Sequence, residues 1–419
     1  MSTTPHSAAP AAPSFTVAAW DAQHPLDDIT LRKIISDARV IAVGESAHFI
    51  DELSDARAGI AAALVRDFGV DDLALEIGHD EAPLVEDWLS GQRTEELRSL
   101  VGTLTFALYG TFLVGLRSRL PRHRRVRVLG VDLPNSLTIE PSLAPLSTLL
   151  DAIDPAAAEL LRQTRELAGL VVGGSAAASA ASWLGLETAA QDSLTVHLTR
   201  LRARIDALGA VHRNGEDAQS WRQAGRLADT AVTTEIMLRA MGDLFSGTGR
   251  LDDTTVREVF VARRLVEAVD SLAPMGRIAY VAHNNHIQKA PVAFDGVLAA
   301  HPAGEVLAES LGSDYRAIAL THADDEVPEM AVPAATEVGF RVERVAAAPL
   351  RADSVESSCA DVLRSAGAAV ARFDEDGSTG IFRVRSQSAD VEVDAAAFDA
   401  IVVLATATTD PAVATLGLD

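Results

Sequence analysis

Two ionisable side chains directly follow an apolar stretch near the N-terminus. Val40–Val43 is entirely apolar, and Gly44 then leads into Glu45 and His48. An apolar run that ends in a polar loop is typical of a buried parallel strand, and open α/β sheets bind ligands at such strand ends. A glutamate can orient an imidazole, and a histidine can transfer a proton near neutral pH. The pair therefore predicts acid–base chemistry at this edge.

Two later apolar stretches end in the same way. Residues 72–78 carry Glu76, and residues 277–286 end with His283 and His286. An acid inside an apolar run needs a partner, because burying an unpaired charge is costly. Two histidines three residues apart can bind a metal ion from one face, or one can face a cleft while the other supports it. Both alternatives are open at this level.

The elements that must position these residues alternate between strands and helices. Apolar runs predict strands at 40–43, 73–77, 126–131, 278–282, 315–320 and 400–406, and helical spacing predicts helices at 28–37 and 52–68. Asp132 occupies the end of the third strand. Arg57 lies early in the second helix, either as a surface residue or, if it faces the cleft, as a carboxylate clamp or oxyanion stabiliser. The pattern predicts an α/β fold with a mostly parallel central sheet flanked by helices.

Strand patterns stop between the third and fourth strands, where long Ala/Leu/Arg patterns predict a large α-helical insertion. We therefore expect a disordered tail at 1–15, a first part of the α/β core at 16–140, a helical insertion or cap at 141–270, and a second part of the core at 271–419. Residues 167–186 carry no charge, but a glycine pair and three serines make this span too polar for a membrane helix.

The composition narrows the classes of partner. The formal net charge of -23 argues against binding to nucleic acid or to an anionic membrane, since both require a basic face. Cys359 is the single cysteine, which excludes an intramolecular disulfide and a cysteine-rich metal site and suits the cytoplasm. The first fifteen residues lack the basic start and apolar run of a signal peptide.

Four motifs in register resemble the erythromycin esterase family. They are 44–50 (Gly-Glu-Ser-Ala-His-Phe-Ile), 73–76 (Leu-Ala-Leu-Glu), 131–134 (Val-Asp-Leu-Pro) and 282–289 (Ala-His-Asn-Asn-His-Ile-Gln-Lys). The His-Phe-Ile and Ile-Gln-Lys segments resemble the type II esterases most. One departure from the family pattern lies in 257–264. The family usually has Met and Ala before a polar residue there, whereas this chain has Val261 and Ala262 before Arg263. That departure and the Ala-rich helical region bear on substrate choice more than on chemistry.

The resemblance implies an α/β core with a helical domain and hydrolysis of the lactone ester of macrolides such as erythromycin, without a covalent intermediate, metal ion or cofactor. It implies that His48 activates a water molecule, that Glu45 and Glu76 orient His48, and that three further residues line the same cleft: His283, His286 and Arg57. The expected substrate-binding residues are Ser46, Asp132, Asn284 and Lys289. The oligomeric state is left open.

Three other functions fit the same residues. A tailoring enzyme of natural-product assembly would use the acid–base pair for dehydration, cyclisation or acyl transfer on a polyketide. A metallohydrolase would use the two carboxylates and three histidines to hold zinc. A non-catalytic protein that sequesters a macrolide would leave the acid–base residues without a use. The macrolide esterase is the leading hypothesis.

Overall fold

The computed structural model of the protein describes residues 14–121, 124–294, 297–373 and 380–419. The tail expected at 1–15 lies outside these residues except for its last two. The second of them, Phe15, begins a strand and is not part of a tail.

The strands, in chain order, are β1 (Phe15–Ala19), β2 (Val40–Val43), β3 (Val70–Gly78), β4 (Arg127–Asp132), β5 (Arg277–Val281), β6 (Val292–Phe294), β7 (Val297–Ala300), β8 (Tyr315–His322), β9 (Glu326–Ala331), β10 (Arg341–Ala346), β11 (Ala368–Phe373), β12 (Ile381–Ser386), β13 (Ala389–Asp394) and β14 (Ala400–Leu404). Eight of the described strands form one sheet in the order β1-β11-β14-β8-β2-β5-β3-β4. Its pairs are parallel from β14 to β4, whereas β11 pairs antiparallel with both β1 and β14. The predicted mostly parallel central sheet is confirmed.

The α-helices are α1 (Ile29–Ile35), α2 (Asp51–Asp67), α3 (Ala82–Leu89), α4 (Thr103–Arg119), α5 (Glu140–Ile153), α6 (Ala158–Ala168), α7 (Ala176–Leu184), α8 (Thr188–Val211), α9 (Ala218–Phe245), α10 (Thr255–Ser271), α11 (Asn284–Ile287), α12 (Ala303–Leu311), α13 (Val355–Ser358), α14 (Ala360–Ala366) and α15 (Pro411–Thr415). Helices α5 to α10 follow one another between β4 and β5, in a segment that is described without a gap. None of the helices in the described part of the chain is long and apolar enough to cross a membrane.

The sheet separates two hydrophobic cores because each central strand is buried on both faces. In β2, Val40 and Ala42 pack against the core that includes helices α5 to α10. Ile41 and Val43 point the other way, into the core that includes α2 and α4. Alternation of side chains along a strand explains why this strand is an unbroken apolar run. The parallel strands therefore deliver their carboxyl-terminal loops to one edge of a rigid core.

Candidate active site

His48 lies in the loop that follows β2. Its Nδ1 is 2.8 Å from Oε1 of Glu45, and the His48 side chain is 16% exposed, against 3% for Glu45. A carboxylate only accepts hydrogen bonds, so Nδ1 of the neutral ring carries the proton and Nε2 carries the lone pair. Glu45 is thus the glutamate that orients His48. In the described part of the chain, Glu76 makes its hydrogen bonds to other groups.

Arg57 lies behind Glu45 and not at the surface of the cleft, where the resemblance placed it. Its Nη2 is 2.6 Å from Oε2 of Glu45, and its side chain is 0% exposed. The guanidinium also lies 5.8 Å from the ring centre of Tyr109 and 5.5 Å from that of Phe112. Its N–H groups make no aligned hydrogen bond within the described structure, so the attraction is electrostatic, with cation–π contributions. Arg57 compensates the buried charge of Glu45.

Phe49 fixes the backbone immediately after His48. Its φ angle of 64° lies in the left-handed region, which non-glycine residues rarely adopt. The carbonyl of Phe49 accepts a hydrogen bond of 2.8 Å from the N–H of Asp410, and its ring lies 6.0 Å from that of Phe340. Surroundings that hold a strained residue in place also fix its neighbours, so the direction of His48 is set by packing.

The loop after β2 packs directly on the turn that follows β5. The N–H of Asn284 donates to the carbonyl of Glu45 at 2.8 Å, and Nδ2 of Asn284 donates to the carbonyl of Leu320 at 2.9 Å. Gly44 makes this approach possible, because a Cβ there would lie 2.0 Å from Oδ1 of Asn284 and 2.7 Å from Cδ1 of Ile287. The glycine between the strand and Glu45 thus serves close packing between two site loops.

Replacing Gly44 with alanine is expected to destabilise the protein by about 1–3 kcal/mol, as overpacking in a tight core does. Asn284 would be displaced, and with it the backbone of Glu45, so kcat should fall as well. Urea unfolding and steady-state kinetics measure the two effects. Gly225 is a matched control in a helix, since a Cβ there meets nothing within 4 Å. Equal stability of the Gly44→Ala protein and wild type would show that the loops are not tightly packed.

His283 uses both ring nitrogens on backbone groups. Nδ1 accepts a hydrogen bond of 3.1 Å from the N–H of Asn285, so the proton is on Nε2, which lies 3.0 Å from the carbonyl of Ser46. Burial lowers the pKa of His283 well below 6.5, and the charges of His48 and His286 lower it further. This neutral histidine ties the two site loops together and has no nitrogen left for proton transfer.

His286 lies between two carboxylates. Nδ1 is 2.8 Å from Oε1 of Glu258, and Nε2 is 3.0 Å from Oε1 of Glu76. Because each nitrogen faces an acceptor, both carry protons, and the ring is an imidazolium. Burial alone would lower its pKa, but the charges of Glu258 and Glu76 outweigh burial and raise the pKa to about 10. At neutral pH, His286 therefore acts as a fixed cation.

This raised pKa predicts how stability depends on pH. A group whose pKa rises from 6.5 to about 10 on folding stabilises the protein fully below pH 6.5 and loses that contribution as the pH approaches 10. The free energy of unfolding should fall by about 3 kcal/mol from pH 7 to pH 10. Urea titrations at each pH measure it. The Glu258→Gln variant should show the fall at lower pH, and His286→Gln a shallower one. Identical profiles for all three proteins would contradict the assignment.

Glu76 lies near the carboxyl end of β3. Leu75 pairs with Gly130 and Gly78 pairs with Asp132 of β4, so two residues of β3 oppose one residue of β4 at this point. Leu75 and Ile77 both pack in the core that includes α2 and α4, so ordinary alternation directs Glu76 to the other face of the sheet. The Glu76 side chain there is 7% exposed.

Three donors surround the carboxylate of Glu76. The N–H of His283 donates to Oε2 at 3.1 Å, Nη2 of Arg257 donates to Oε1 at 2.7 Å, and His286 reaches Oε1 as described. Burial raises the pKa of Glu76, but the positive charges of His286 and Arg257 outweigh burial and hold the pKa well below 4.5. Glu76 is a carboxylate that organises the cations around it.

Arg257 connects Glu76 to Asp132. Its Nε is 2.9 Å from Oδ1 of Asp132 and its Nη2 is 2.5 Å from Oδ2, which is a bidentate pair. The N–H of Leu133 also donates to Oδ1 at 2.6 Å. Burial raises the pKa of Asp132, although the charge of Arg257 opposes this. The charges of Asp132 and Glu76 outweigh burial and raise the pKa of Arg257 above its ordinary value.

Three of the expected substrate-binding side chains point elsewhere. Ser46 is 0% exposed and Asn284 is 4% exposed, and both contribute backbone groups to the loop contacts. Nζ of Lys289 is 2.9 Å from Oδ1 of Asp399, which directly precedes β14. Lys289 therefore lies at the edge where the parallel strands begin, away from the cluster. Asp132 is the one of the four whose side chain joins the cluster.

The sequence reasoning missed Arg257 and Glu258, the two residues that α10 adds to the cluster. Both lie in the first turn of the helix and not at a strand end. A signal for Glu258 is present, because it occupies the same helix face as Val261, Ala262 and Leu265, which are buried. An acid on an apolar helix face requires a partner. No comparable signal marks Arg257.

Most of the polar side chains of the site are engaged with one another or with backbone groups. Within the described ranges, no group of three or more histidine, cysteine, aspartate or glutamate side chains is arranged to hold a metal ion. His283 and His286, which could have formed a ligand pair by spacing, face backbone groups and carboxylates respectively.

The fold and the site define an α/β protein with a cluster of ionisable side chains at the carboxyl edge of a mostly parallel sheet. Residues 65–406 match the family model described as erythromycin esterase. The chain belongs to the erythromycin esterase family.

Two relatives from Escherichia coli are similar over most of the chain. Erythromycin esterase type I is 36% identical over 388 residues, which cover 92% of this chain and 94% of the relative. Erythromycin esterase type II is 26% identical over 317 residues, which cover 75% of this chain and 76% of the relative. The motifs suggested greater similarity to type II, but the identity to the type I protein is higher.

A solved structure of the same family has the same fold. The erythromycin esterase EreC, solved as a histidine variant in its open conformation, superposes with a TM-score of 0.87 at 33% identity and covers 94% of this chain and 98% of its own. A succinoglycan biosynthesis protein, at 15% identity, has a TM-score of 0.68, with 95% of each chain covered. The second likeness concerns the fold alone.

Proposed function

We propose that this protein is an esterase that opens the lactone ring of a macrolide of the erythromycin type with a water molecule activated by His48. The observation that carries the proposal is the hydrogen bond of 2.8 Å between Nδ1 of His48 and Glu45. It leaves Nε2 with its lone pair, and no hydrogen-bond partner for Nε2 occurs among the described residues. A partly exposed imidazole in this state is a suitable general base.

The proposed reaction begins with a water molecule bound at Nε2 of His48. The water oxygen attacks the lactone carbonyl carbon, its proton passes to Nε2, and the carbonyl π electrons move to the oxygen as an oxyanion. When the carbonyl re-forms, the bond to the ring oxygen breaks, and His48 returns the proton to that leaving oxygen. The product is an open hydroxy acid, and His48 is again neutral. Glu45 stabilises the imidazolium formed in between.

Glu45 acts in this role together with Arg57, which lies directly behind it. The ion pair of 2.6 Å with a fully buried guanidinium compensates the charge of Glu45 where water cannot. Glu76, His283 and His286 hold the neighbouring loop and its charges in place. Within this proposal, His48 alone exchanges a proton with the reactants.

The helical segment 141–270 is proposed to act as a cap. The core beneath it would consist of residues 16–140 and 271–419. Supporting this, α10 lies in that segment and contributes Arg257 to the cluster on Glu76 and Asp132. The proposed partner is a small-molecule macrolide or polyketide. The net charge of -23 supports the absence of nucleic acid and of an anionic membrane as partners, and the single cysteine supports a cytoplasmic location.

Mass spectrometry of a macrolide panel tests the proposal. Erythromycin and related macrolides are incubated with wild-type protein, and products are compared with protein-free samples. The expected product has the mass of the substrate plus one water. A product without added water would instead indicate cyclisation or dehydration, and intact macrolides from folded protein would contradict the esterase function.

A further inference from the structure

We propose that Arg257, at the start of α10, is the catalytic residue that binds the oxyanion formed at the lactone carbonyl. This inference rests on the proposed function and assigns a group to the step in which negative charge develops. It concerns a side chain from the helical segment, outside the four motifs that carry the family resemblance.

The guanidinium of Arg257 is fixed on two of its three nitrogens. Nε and Nη2 bind Asp132 at 2.9 and 2.5 Å, and Nη2 also binds Glu76 at 2.7 Å. Two carboxylates thus hold one edge of the planar group in place before any substrate arrives. A donor held in this way does not have to reorganise when charge develops on the substrate, which is the arrangement that stabilises an oxyanion best.

Nη1 is the nitrogen of Arg257 that remains available. It lies 3.4 Å from Nε2 of His286. Because Nε2 of His286 faces Glu76 at 3.0 Å while Nδ1 faces Glu258 at 2.8 Å, both ring nitrogens are donors. Two donors cannot form a hydrogen bond with each other, so the N–H groups of Nη1 keep their capacity to donate to a ligand.

Exposure separates the two arginines of the site. The Arg257 side chain is 25% exposed, whereas that of Arg57 is 0% exposed. Part of the Arg257 side chain is open to solvent, whereas a substrate oxygen would have to replace Glu45 to reach Arg57. Arg57 is therefore a positioning residue behind Glu45, and Arg257 is the arginine that can touch the substrate.

The position of Arg257 fits a carbonyl attacked by water on His48. The ring centre of His283 lies 4.9 Å from that of His48 and 6.3 Å from that of His286, and His286 is adjacent to Arg257. All these groups lie at the carboxyl edge of β2, β3, β4 and β5. A carbonyl bound above His283 would present its carbon to the water on one side and its oxygen to Nη1 on the other.

Chemical rescue tests this assignment. The Arg257→Ala variant should lose about 10²–10³-fold in kcat with a smaller change in KM, because the lost contact is made in the transition state. Added guanidinium ion, at concentrations that do not unfold the protein, should restore part of that kcat. Rescue shows that a guanidinium group is needed at this place, and a loss in kcat that exceeds the change in KM assigns that group to the transition state. Wild-type kcat in the variant, or a variant that is folded but not rescued, would overturn the proposal.

Arg204→Ala is the matched control. Arg204 forms the same bidentate pair with the buried Asp154, through Nε at 2.5 Å and Nη2 at 2.7 Å. The two variants leave a buried aspartate without its arginine in the same way, but Arg204 lies on α8 and outside the cluster. Its kcat should stay near the wild-type value and should not respond to guanidinium. Equal rescue of both variants would indicate general stabilisation and would contradict the role of Arg257.

A binding measurement separates this inference from the proposed substrate. Phenylphosphonate presents tetrahedral anionic oxygens without requiring turnover. Calorimetry should show at least tenfold weaker binding to Arg257→Ala than to wild type, with Arg204→Ala unchanged, as expected for the loss of a charge-assisted hydrogen bond. Equal binding to all three proteins, or none to wild type, would overturn the assignment of Arg257. Wild-type protein that binds the anion but hydrolyses no macrolide would overturn the proposed function alone.

Discussion

Replacing His48 with alanine is expected to reduce kcat for macrolide hydrolysis by a factor of about 10²–10⁴, the range that a positioned general base contributes. Nε2 of His48 is the proton acceptor in the proposed reaction, and the hydrogen bond of 2.8 Å from Nδ1 to Glu45 fixes its tautomer. KM should change less than kcat, because the base acts on water and not on the bound macrolide. Steady-state kinetics with purified, folded variants measure both values.

The histidines elsewhere in the chain provide a control for His48. His197 on α8 is partly buried, and its Nδ1 lies 2.7 Å from the carbonyl of Ser193. His197→Ala should keep the wild-type kcat. If His48→Ala also kept it, the base would have to be another group, and His283 and His286 are poorly suited because their nitrogens are occupied.

Replacing Arg57 with methionine is expected to lower the free energy of unfolding by about 3–5 kcal/mol, which is the cost of leaving a buried charge without its partner. Glu45 is 3% exposed, and the guanidinium of Arg57 lies 2.6 Å from its Oε2. The variant should also lose activity, because Glu45 would no longer be held by Arg57 at 2.6 Å and would orient His48 less well. Urea unfolding monitored by circular dichroism measures the stability.

A double-mutant cycle tests the cause of that destabilisation. Glu45→Gln removes the charge that Arg57 compensates, so the Glu45→Gln, Arg57→Met protein should lose less stability than the sum of the two single variants. Arg119→Met is a matched control. Arg119 pairs at 2.6 Å, at the protein surface, with Asp55 of α2, the helix that also carries Arg57. Its replacement should lower the free energy of unfolding by about 1 kcal/mol or less. Additive single variants would mean that Arg57 contributes through packing alone.

Strand-end reasoning located the part of the site that the sheet builds. Glu45 and His286 follow buried strands, Glu76 lies near the end of a third, and parallel strands bring their carboxyl ends to one edge. This prediction did not require knowledge of the order of the strands in the sheet. The apolar runs also predicted the parallel strands to within a few residues, because each strand is buried on both faces and its pattern is unbroken.

Contacts made by other elements could not be predicted in the same way. Arg257 and Glu258 reach the cluster because α10 packs beside β4, a tertiary arrangement that helical periodicity does not encode. The sequence places Arg57 on the second helix but does not determine which way its side chain points, and the structure shows that it faces Glu45. Lys289 follows the second histidine in sequence, yet the chain has already turned back to the start of β14.

Isotope labelling tests the central claim most directly. Erythromycin is incubated in ¹⁸O-labelled water with wild-type protein and with His48→Ala, and the product is analysed by mass spectrometry. Wild type is predicted to place one labelled oxygen in the new carboxylate, and His48→Ala is predicted to form the labelled product about 10²–10⁴ times more slowly. An unlabelled product from wild type, or equal labelling by both proteins, would contradict the account of His48 as the base that activates water.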